Sequence, residues 1–305
     1  MVVTRLTVAV LALAAGATAV ALAVLLLHGT PGPVSAAPAA LPAASPAPAP
    51  PATPRFPAPP PNAVVFSRED GPDALALALV PRGKAVLAQV SVVGQQGNGV
   101  PGLAVSIGAT RAASCGPGCY RATVPRSRAI DVDVAGTLWA VALPSPWPPL
   151  DASRVVARAA HVWRSLHTLA FSDRLGSDAT HVVVSEWHAV APNRLSYVIR
   201  GGYSAVIVGG KRWDRPPGGR WIESAQTPVR QPVPVWQSAT DAHVVGGIGA
   251  TLRITFYDPR TPAWFAITVD ARTIRTLDLR MTTTAHFMHE RYSAFNAPLA
   301  IRPPG

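Results

Sequence analysis

The chain has 305 residues, of which 49% are hydrophobic and 14% charged, so it is long enough to bury a sizeable core and to form two domains. Its formal net charge of +11 comes from 27 Lys and Arg against 16 Asp and Glu, which suits an anionic partner. The cations are scattered, without a block of adjacent basic residues or interleaved aromatics, and this pattern argues against nucleic-acid binding.

The N-terminal segment is apolar. Residues 6–27 follow Arg5 without a charge, and these 22 residues exceed a signal-peptide core of about 7–15 and match the roughly 20 that span a bilayer. We expect residues 1–30 to form a single-pass membrane anchor that leaves the bulk of the chain extracytoplasmic, in the cell envelope. A cleavage-like Val34-Ser35-Ala36 keeps open the alternative of a removed signal peptide and a secreted protein.

Residues 31–62 carry 13 of the 33 prolines, among Ala and Ser. A run of this kind forms neither helix nor sheet ladder, because proline lacks a backbone donor and fixes φ. We expect an extended, semi-rigid linker that holds the folded part away from the membrane.

Residues 63–148 read as short alternating strands separated by Gly and Pro, which predicts a small β-sandwich. Cys115 and Cys119 are the two cysteines of the chain, and in an oxidising compartment so close a pair predicts a disulfide that closes a small loop. Two thiolates for a soft metal are the alternative, although no further ligand is adjacent. The apolar residues that share a face are Leu75, Leu77 and Leu79, then Val86, Ala88, Val90 and Val92, then Leu103, Val105 and Ile107, then Ile130, Val132 and Val134.

The stretch GNGVPGLAVSI, followed by GCYRATVP, resembles the small extracytoplasmic immunoglobulin-like modules of the YtkA type. The resemblance implies an immunoglobulin-like β-sandwich over residues 63–148. Some relatives of that module handle metals through Met and His. This segment contains neither residue, which argues against a metal role for the domain.

Prolines at positions 144–149 mark a boundary, and Asp151 is the predicted cap of an amphipathic helix over residues 152–169. Strand-like stretches follow at residues 181–189, 195–200, 203–208, 221–224 and 243–245, before a long closing hairpin over residues 251–295. One helix and an antiparallel meander predict an α+β domain over residues 149–305.

Alternation in the closing hairpin predicts one apolar and one polar face. Residues of the apolar parity are Leu252, Ile254, Phe256, Phe265, Ile267, Val269, Leu277, Leu279, Met281, Ala285 and Phe287. On this reading His286 and Met288 lie on the opposite, solvated face, with Glu290 and Tyr292 continuing that side.

The segments RAAHVWRSLHTL, HAVAPNRLSYVI, VGGKRWDRPPGGRWIES and FYDPRTPAWFAITVDARTIRTLDLRM together resemble the LolA-like fold, over residues 151–303. That fold is an open antiparallel half-barrel with a helix on its concave face, and it occurs in the periplasmic lipoprotein carrier and in the LppX and LprG lipid carriers. The resemblance implies an apolar cavity and an envelope location. The order of anchor, immunoglobulin-like module and this domain, ending in AHFMHERYSAFNAP, also resembles the extracytoplasmic tail of actinobacterial CopD-like copper-resistance proteins.

Two candidate sites follow. A cavity wall for a lipid or another hydrophobic ligand is expected from the apolar parity, with Arg212, Arg220 or Arg253 for an anionic headgroup, although the helix and a loop could fill the space themselves. Imidazole and thioether suit copper, so His286 and Met288 are candidate ligands, with a third from His181, His188, His243 or Met281. The predicted wall residues are Trp163, Tyr197, Ile199, Ile254, Phe256, Phe265, Ile267, Leu279 and Phe287.

No catalytic signature is present: the sequence has no G-x-S-x-G elbow, H-E-x-x-H pair, Walker loop or dinucleotide fingerprint. We therefore expect no enzyme, but a membrane-tethered extracytoplasmic binding protein that sequesters a hydrophobic ligand. The alternatives are an envelope sensor that acts through a protein partner, and a copper-handling accessory protein that uses His286 and Met288.

Overall fold

The structure is a computed structural model that describes residues 57–305. The predicted anchor over residues 1–30 and the linker as far as residue 56 lie outside the described residues. Within the described part of the chain, no helix has the length and apolar character needed to cross a membrane.

Residues 64–142 contain nine strands that form two antiparallel sheets. One has five strands in the order β1-β2-β3-β7-β6, and the other has four in the order β5-β4-β8-β9. The strands are β1 Val64–Asp70, β2 Asp73–Arg82, β3 Ala85–Val93, β4 Val105–Ile107, β5 Thr110–Arg111, β6 Ala113–Gly116, β7 Cys119–Pro125, β8 Ala129–Val134 and β9 Thr137–Ala142.

These two sheets pack face to face on one core, which explains the alternation in their sequences. Leu75, Leu77 and Leu79 of the first sheet meet Ile107 and Val132 of the second in a single buried cluster. Each strand turns every second side chain inward, so the apolar residues at period two fill the space between the sheets.

The remaining strands form one open, eleven-stranded antiparallel sheet, preceded by the helix. Its order is β15-β14-β13-β12-β11-β10-β20-β19-β18-β17-β16, so two meanders of hairpins join where β10 pairs with β20. The elements are α1 Ser153–Ser165, β10 Thr168–Gly176, β11 Val182–Val190, β12 Arg194–Ile199, β13 Ser204–Val208, β14 Lys211–Arg215, β15 Ile222–Ala225, β16 Thr240–Gly246, β17 Thr251–Asp258, β18 Ala263–Asp270, β19 Thr276–Thr283 and β20 His286–Ser293.

The mostly β class is therefore confirmed, with corrections around the helix. The predicted helix over residues 152–169 ends at Ser165, because Leu166 is extended with φ −69° and ψ 135°. The residues that follow form β10, a strand that the sequence reading missed. Ala152, rather than the predicted Asp151, occupies the N-cap position. The carboxylate of Asp151 instead accepts two hydrogen bonds from Ser153, one from the Ser153 backbone nitrogen at 3.2 Å and one from the Ser153 hydroxyl at 2.8 Å.

The two faces of the large sheet have different neighbours. We call the face that carries Phe256 and Phe265 the helix face. The ring of Trp163 in α1 contacts Tyr292 on this face, and the ring of Trp236 contacts Phe256. We call the opposite face, which carries Tyr257, Trp264 and Phe287, the sandwich face, since these side chains form a second core with the five-stranded sheet. That sheet presents small residues there, including Ala74, Ala76 and Ala78.

The assignment of residues 286–292 to faces corrects the sequence reading. A two-residue turn places Thr283 opposite His286, so the even-numbered residues of β20 share the face of the odd-numbered residues of β19. Phe287 therefore lies on the sandwich face and not beside Phe256. Met288, Glu290 and Tyr292 are buried on the helix face, although the sequence reading placed them on a solvated side.

Candidate functional site

An aromatic row crosses the helix face on four neighbouring strands. Tyr292, Phe171, Trp187 and Tyr197 are successive cross-strand partners on β20, β10, β11 and β12. The rings of Phe171 and Trp187 are stacked, with centroids 5.7 Å apart and planes 3° from parallel. The Trp187 and Tyr197 centroids are 4.3 Å apart. The sequence analysis does not identify this row, because its members come from four separate strands.

The helix and one irregular segment contact the helix face, at Tyr292 of this row and at Phe256. We call residues 226–239 the strap, because they join β15 to β16, the two edge strands of the sheet. Trp163 of α1 packs edge-on against Tyr292, with ring centroids 4.8 Å apart, and lies 6.2 Å from the ring of Trp236 in the strap. Trp236 in turn lies 5.9 Å from Phe256. Side chains of the chain itself thus occupy the space over the helix face.

Hydrogen bonds hold the strap at both ends and in the middle. The backbone nitrogen of Gln226 donates to the carbonyl of Gly210, and that of Gln231 donates to the carbonyl of Pro192, each at 2.9 Å. Near its far end, the carboxylate of Asp258 accepts from the backbone nitrogens of Gln237 and Ser238, at 2.6 and 3.1 Å.

Asp258 is the main polar anchor of this region. It is fully buried at the end of β17, and its second oxygen accepts from the backbone nitrogens of Arg260 and Thr261, at 2.8 and 3.3 Å. One carboxylate thus fixes both the strap and the β17–β18 turn. Loss of this side chain would leave four backbone donors in a partly buried region without this acceptor.

The structure brings most of the predicted wall residues together on or against the helix face. Trp163, Tyr197, Ile254, Phe256, Phe265, Ile267 and Leu279 are buried, and Ile199 is half-buried. Phe287 is the exception, on the sandwich face.

A buried acidic pair was not foreseen. Asp173 of β10 and Glu290 of β20 are direct cross-strand partners on the helix face, with 4% and 2% of their surfaces exposed. Burial raises the pKa of Asp173 to about 7, against a smaller opposing effect of a hydrogen bond with Ser185. Burial, and secondarily the charge of Asp173, raises the pKa of Glu290 to about 8. In the sequence, each of these acids alternates with apolar residues that point to the same face of its strand. This signal can be recognised only once the faces of β10 and β20 are known.

Polar neighbours surround this pair. The hydroxyl of Tyr292 donates to Glu290, and the indole nitrogen of Trp187 donates to the Ser185 hydroxyl at 2.7 Å. Burial, and then the charge of Glu290, holds the pKa of Tyr292 well above its usual value. Tyr292 therefore remains a neutral donor while it also packs against Trp163.

The three arginines predicted for a headgroup have different environments. Arg212 is buried, and its guanidinium binds both carboxylate oxygens of Asp214, at 2.6 Å each, and the Tyr197 hydroxyl at 2.8 Å. It is thus already engaged in a bidentate pair. Arg220 and Arg253 are exposed, and Arg253 lies on the same sheet face as Tyr257, away from the helix.

The two candidate copper ligands differ in their exposure to solvent. His286 is exposed at the start of β20, whereas Met288 is buried with only 2% of its surface exposed. Met281 is the direct cross-strand partner of Met288, so the two share a face, whereas the sequence analysis places them on opposite faces. His181 contacts the carboxylate of Asp178 at 2.7 Å.

The other two proposed ligands, His243 and His188, lie on β16 and β11. His243 lies 2.8 Å from the Asp241 carbonyl, and His188 is exposed on β11. Among residues 57–305, no group of three or more His, Cys, Asp and Glu side chains is arranged to hold a metal ion. Cys115 and Cys119 are at disulfide-bonding distance, as the sequence predicts.

Comparison with known proteins yields no family: no protein-family model matches the chain, and no curated protein matches its sequence. The helix face presents apolar and aromatic surface in contact with α1 and the strap, with one buried acidic pair where β10 pairs with β20.

Proposed function

We propose that the protein is a membrane-tethered, extracytoplasmic binding protein that sequesters a lipid or another hydrophobic ligand. In this proposal the eleven-stranded sheet is a half-barrel with α1 on its concave face, preceded by an immunoglobulin-like module. One observation carries the proposal: the apolar helix face is covered by a 13-residue helix and an irregular strap that joins the two edge strands. Neither cover is a strand of the sheet.

The energies set a minimum size for the ligand. Exposing the ring of Trp236, which buries about 150–250 Å², costs about 4–6 kcal/mol at ~25 cal/mol per Å². Releasing the two strap hydrogen bonds to Asp258 adds about 3–4 kcal/mol. A methylene chain recovers about 0.8 kcal/mol for each buried group, so roughly ten methylenes are needed before displacement becomes favourable. The proposed ligand is therefore a long-chain lipid and not a small apolar molecule.

The test uses the full chain purified from the membranes of a lipid-containing host. Native mass spectrometry is expected to show bound mass that extraction with organic solvent removes. The extracted protein should then take up hexadecanoate and leave hexanoate unbound. A preparation without bound mass that also fails to take up hexadecanoate contradicts the proposal.

A strap variant sharpens this test. Asp258→Ala removes the anchor of Gln237 and Ser238, so hexadecanoate uptake should become faster than in the wild type. The matched control is Asp270→Ala, because Asp270 likewise accepts backbone hydrogen bonds, from Arg272 and Thr273, but in an exposed turn away from the strap. Equal uptake rates in the two variants would show that the strap does not control access.

An envelope sensor that acts through a protein partner is the second candidate. The observation that favours it is the edge strand β15, whose four residues are exposed and whose Ile222 leaves 62% of its surface to solvent. Exposed edge strands can accept a further strand from another chain. A photo-crosslinker at Ile222 should then trap one specific and saturable envelope protein, and unsaturable labelling would count against this candidate.

A further inference from the structure

Asp173 and Glu290 are two buried carboxyl groups on neighbouring strands, and the proposed lipid binding gives them no role. They face each other across the β10–β20 ladder, both are more than nine-tenths buried, and one oxygen of Asp173 has no hydrogen-bond partner. No lysine, arginine or histidine of the described residues forms an ion pair with either acid. Like charges directly opposite each other on neighbouring strands are destabilising, and burial makes the repulsion larger.

The charged groups of the surrounding elements do not offset this pair. Tyr292 is a neutral donor to Glu290, and Arg212 on the helix face is paired with Asp214. His286 shares the sheet face of Glu290 but is exposed at the start of β20, and Arg230 of the strap is also exposed. The other charged or titratable groups of the neighbouring strands and the helix lie on the opposite face of their strands or are exposed on the helix: Arg174 on β10, Glu186 and His188 on β11, Asp278 and Arg280 on β19, His289 and Arg291 on β20, and Arg154, Arg158, His161 and Arg164 on α1.

The position of the pair gives its protonation a structural consequence. The β10–β20 pairing joins the two meanders of the large sheet. Glu290 also accepts the hydrogen bond of Tyr292, whose ring packs against Trp163 of α1 at 4.8 Å. Trp163 in turn contacts Trp236 of the strap. A change of charge at Glu290 thus reaches both covers of the helix face through three packed rings.

We propose that Asp173 and Glu290 form a proton-operated latch, which keeps the β10–β20 seam and its covers closed while protonated and lets them open when the protons leave. This inference extends the proposed function, because it makes access to the helix face depend on pH. The latch itself is a property of the ligand-free chain and can be tested without any lipid.

The direction follows from linkage. Both acids bind protons more tightly in the closed state, where their pKa values are raised to about 7 and about 8, than in an open, solvated state. The closed state is therefore fully favoured below the ordinary pKa of a carboxyl group, and it loses that advantage as the pH rises through the raised values. The opening equilibrium should rise from about pH 5 and level off above about pH 8.

The experiment measures hydrogen–deuterium exchange of the β10 and β20 amides in the full, ligand-free chain from pH 5 to 9, corrected for the intrinsic chemical rate. We expect the opening equilibrium to increase up to about tenfold per pH unit for each proton released. The variants Asp173→Asn and Glu290→Gln should each reduce that slope, and the double variant should abolish it. Glu186→Gln, on the exposed face of β11, is the matched control and should retain the wild-type slope.

Two results would overturn the latch. One is a wild-type exchange profile that is flat after correction, and the other is a slope that stays at the wild-type value in both single variants. If the double variant fails to fold by circular dichroism, the single variants and the wild-type profile still decide the question. If the protein fails to bind hexadecanoate but its opening equilibrium shows the expected pH dependence, the lipid proposal is rejected and the latch is retained.

Discussion

Trp264→Ala tests whether the β-sandwich and the large sheet share a core. Trp264 has 1% of its surface exposed and packs on the sandwich face with Tyr257, Phe287 and Ala76. A buried tryptophan removes about 150–250 Å² from water, which corresponds to about 4–6 kcal/mol at ~25 cal/mol per Å². Because a compact unfolded chain already buries part of that area, we expect the free energy of unfolding to fall by about 3–5 kcal/mol.

The assay is urea unfolding followed by far-ultraviolet circular dichroism, which does not depend on the tryptophan signal. The control is Trp221→Ala, a half-exposed ring whose contact with Arg215 is a cation–π pair at 4.7 Å from guanidinium to centroid. The control should lose about 1 kcal/mol or less. If Trp264→Ala loses no more than the control, the two layers fold independently and the shared core contributes little.

Three further predictions concern other parts of the chain. Cys115→Ser opens a short loop and should lower the free energy of unfolding by about 2 kcal/mol, measured by the same urea assay, with dithiothreitol reproducing the effect in the wild type. Arg212→Ala leaves a carboxylate of Asp214 without its partner in a partly buried site, so a loss of about 3 kcal/mol is expected, and a neutral result would contradict the importance of this pair. The wild type should lose stability as the pH rises from about 5 to 8, by about 1–3 kcal/mol per pH unit, since the folded chain holds extra protons on Asp173 and Glu290; thermal unfolding midpoints across this range provide the measurement.

Local regularities in the sequence were sufficient for much of the sandwich. The alternation of Leu75, Leu77 and Leu79 predicted an inward face, and these residues indeed share one core with Val132. This succeeds because side-chain direction alternates along any strand, whatever its partners. The same argument placed Phe256 and Phe265 on one face of the closing hairpin, where they are direct cross-strand partners.

The alternation of side chains did not predict the correct face where the chain reverses between two strands. The turn between β19 and β20 exchanges odd and even positions, so Phe287 moved to the sandwich face and Glu290 to the interior. The strand β10 was also missed, since its residues follow the helix without a turn signal. Neither error could be removed by composition or spacing, because both depend on where a strand begins.

By itself, the sequence determined the β class, the inward faces of the sandwich strands and of β17 and β18, and the close cysteine pair, because these depend on neighbours a few residues apart. Only the tertiary structure decided which strands became partners. Asp173 and Glu290 are far apart along the chain, and the pairing of β10 with β20 makes them opposite neighbours. The strap's position over Phe256 likewise follows from which strands form the sheet edges. Such contacts arise from the packing of the whole chain, for which no local pattern in the sequence carries a signal.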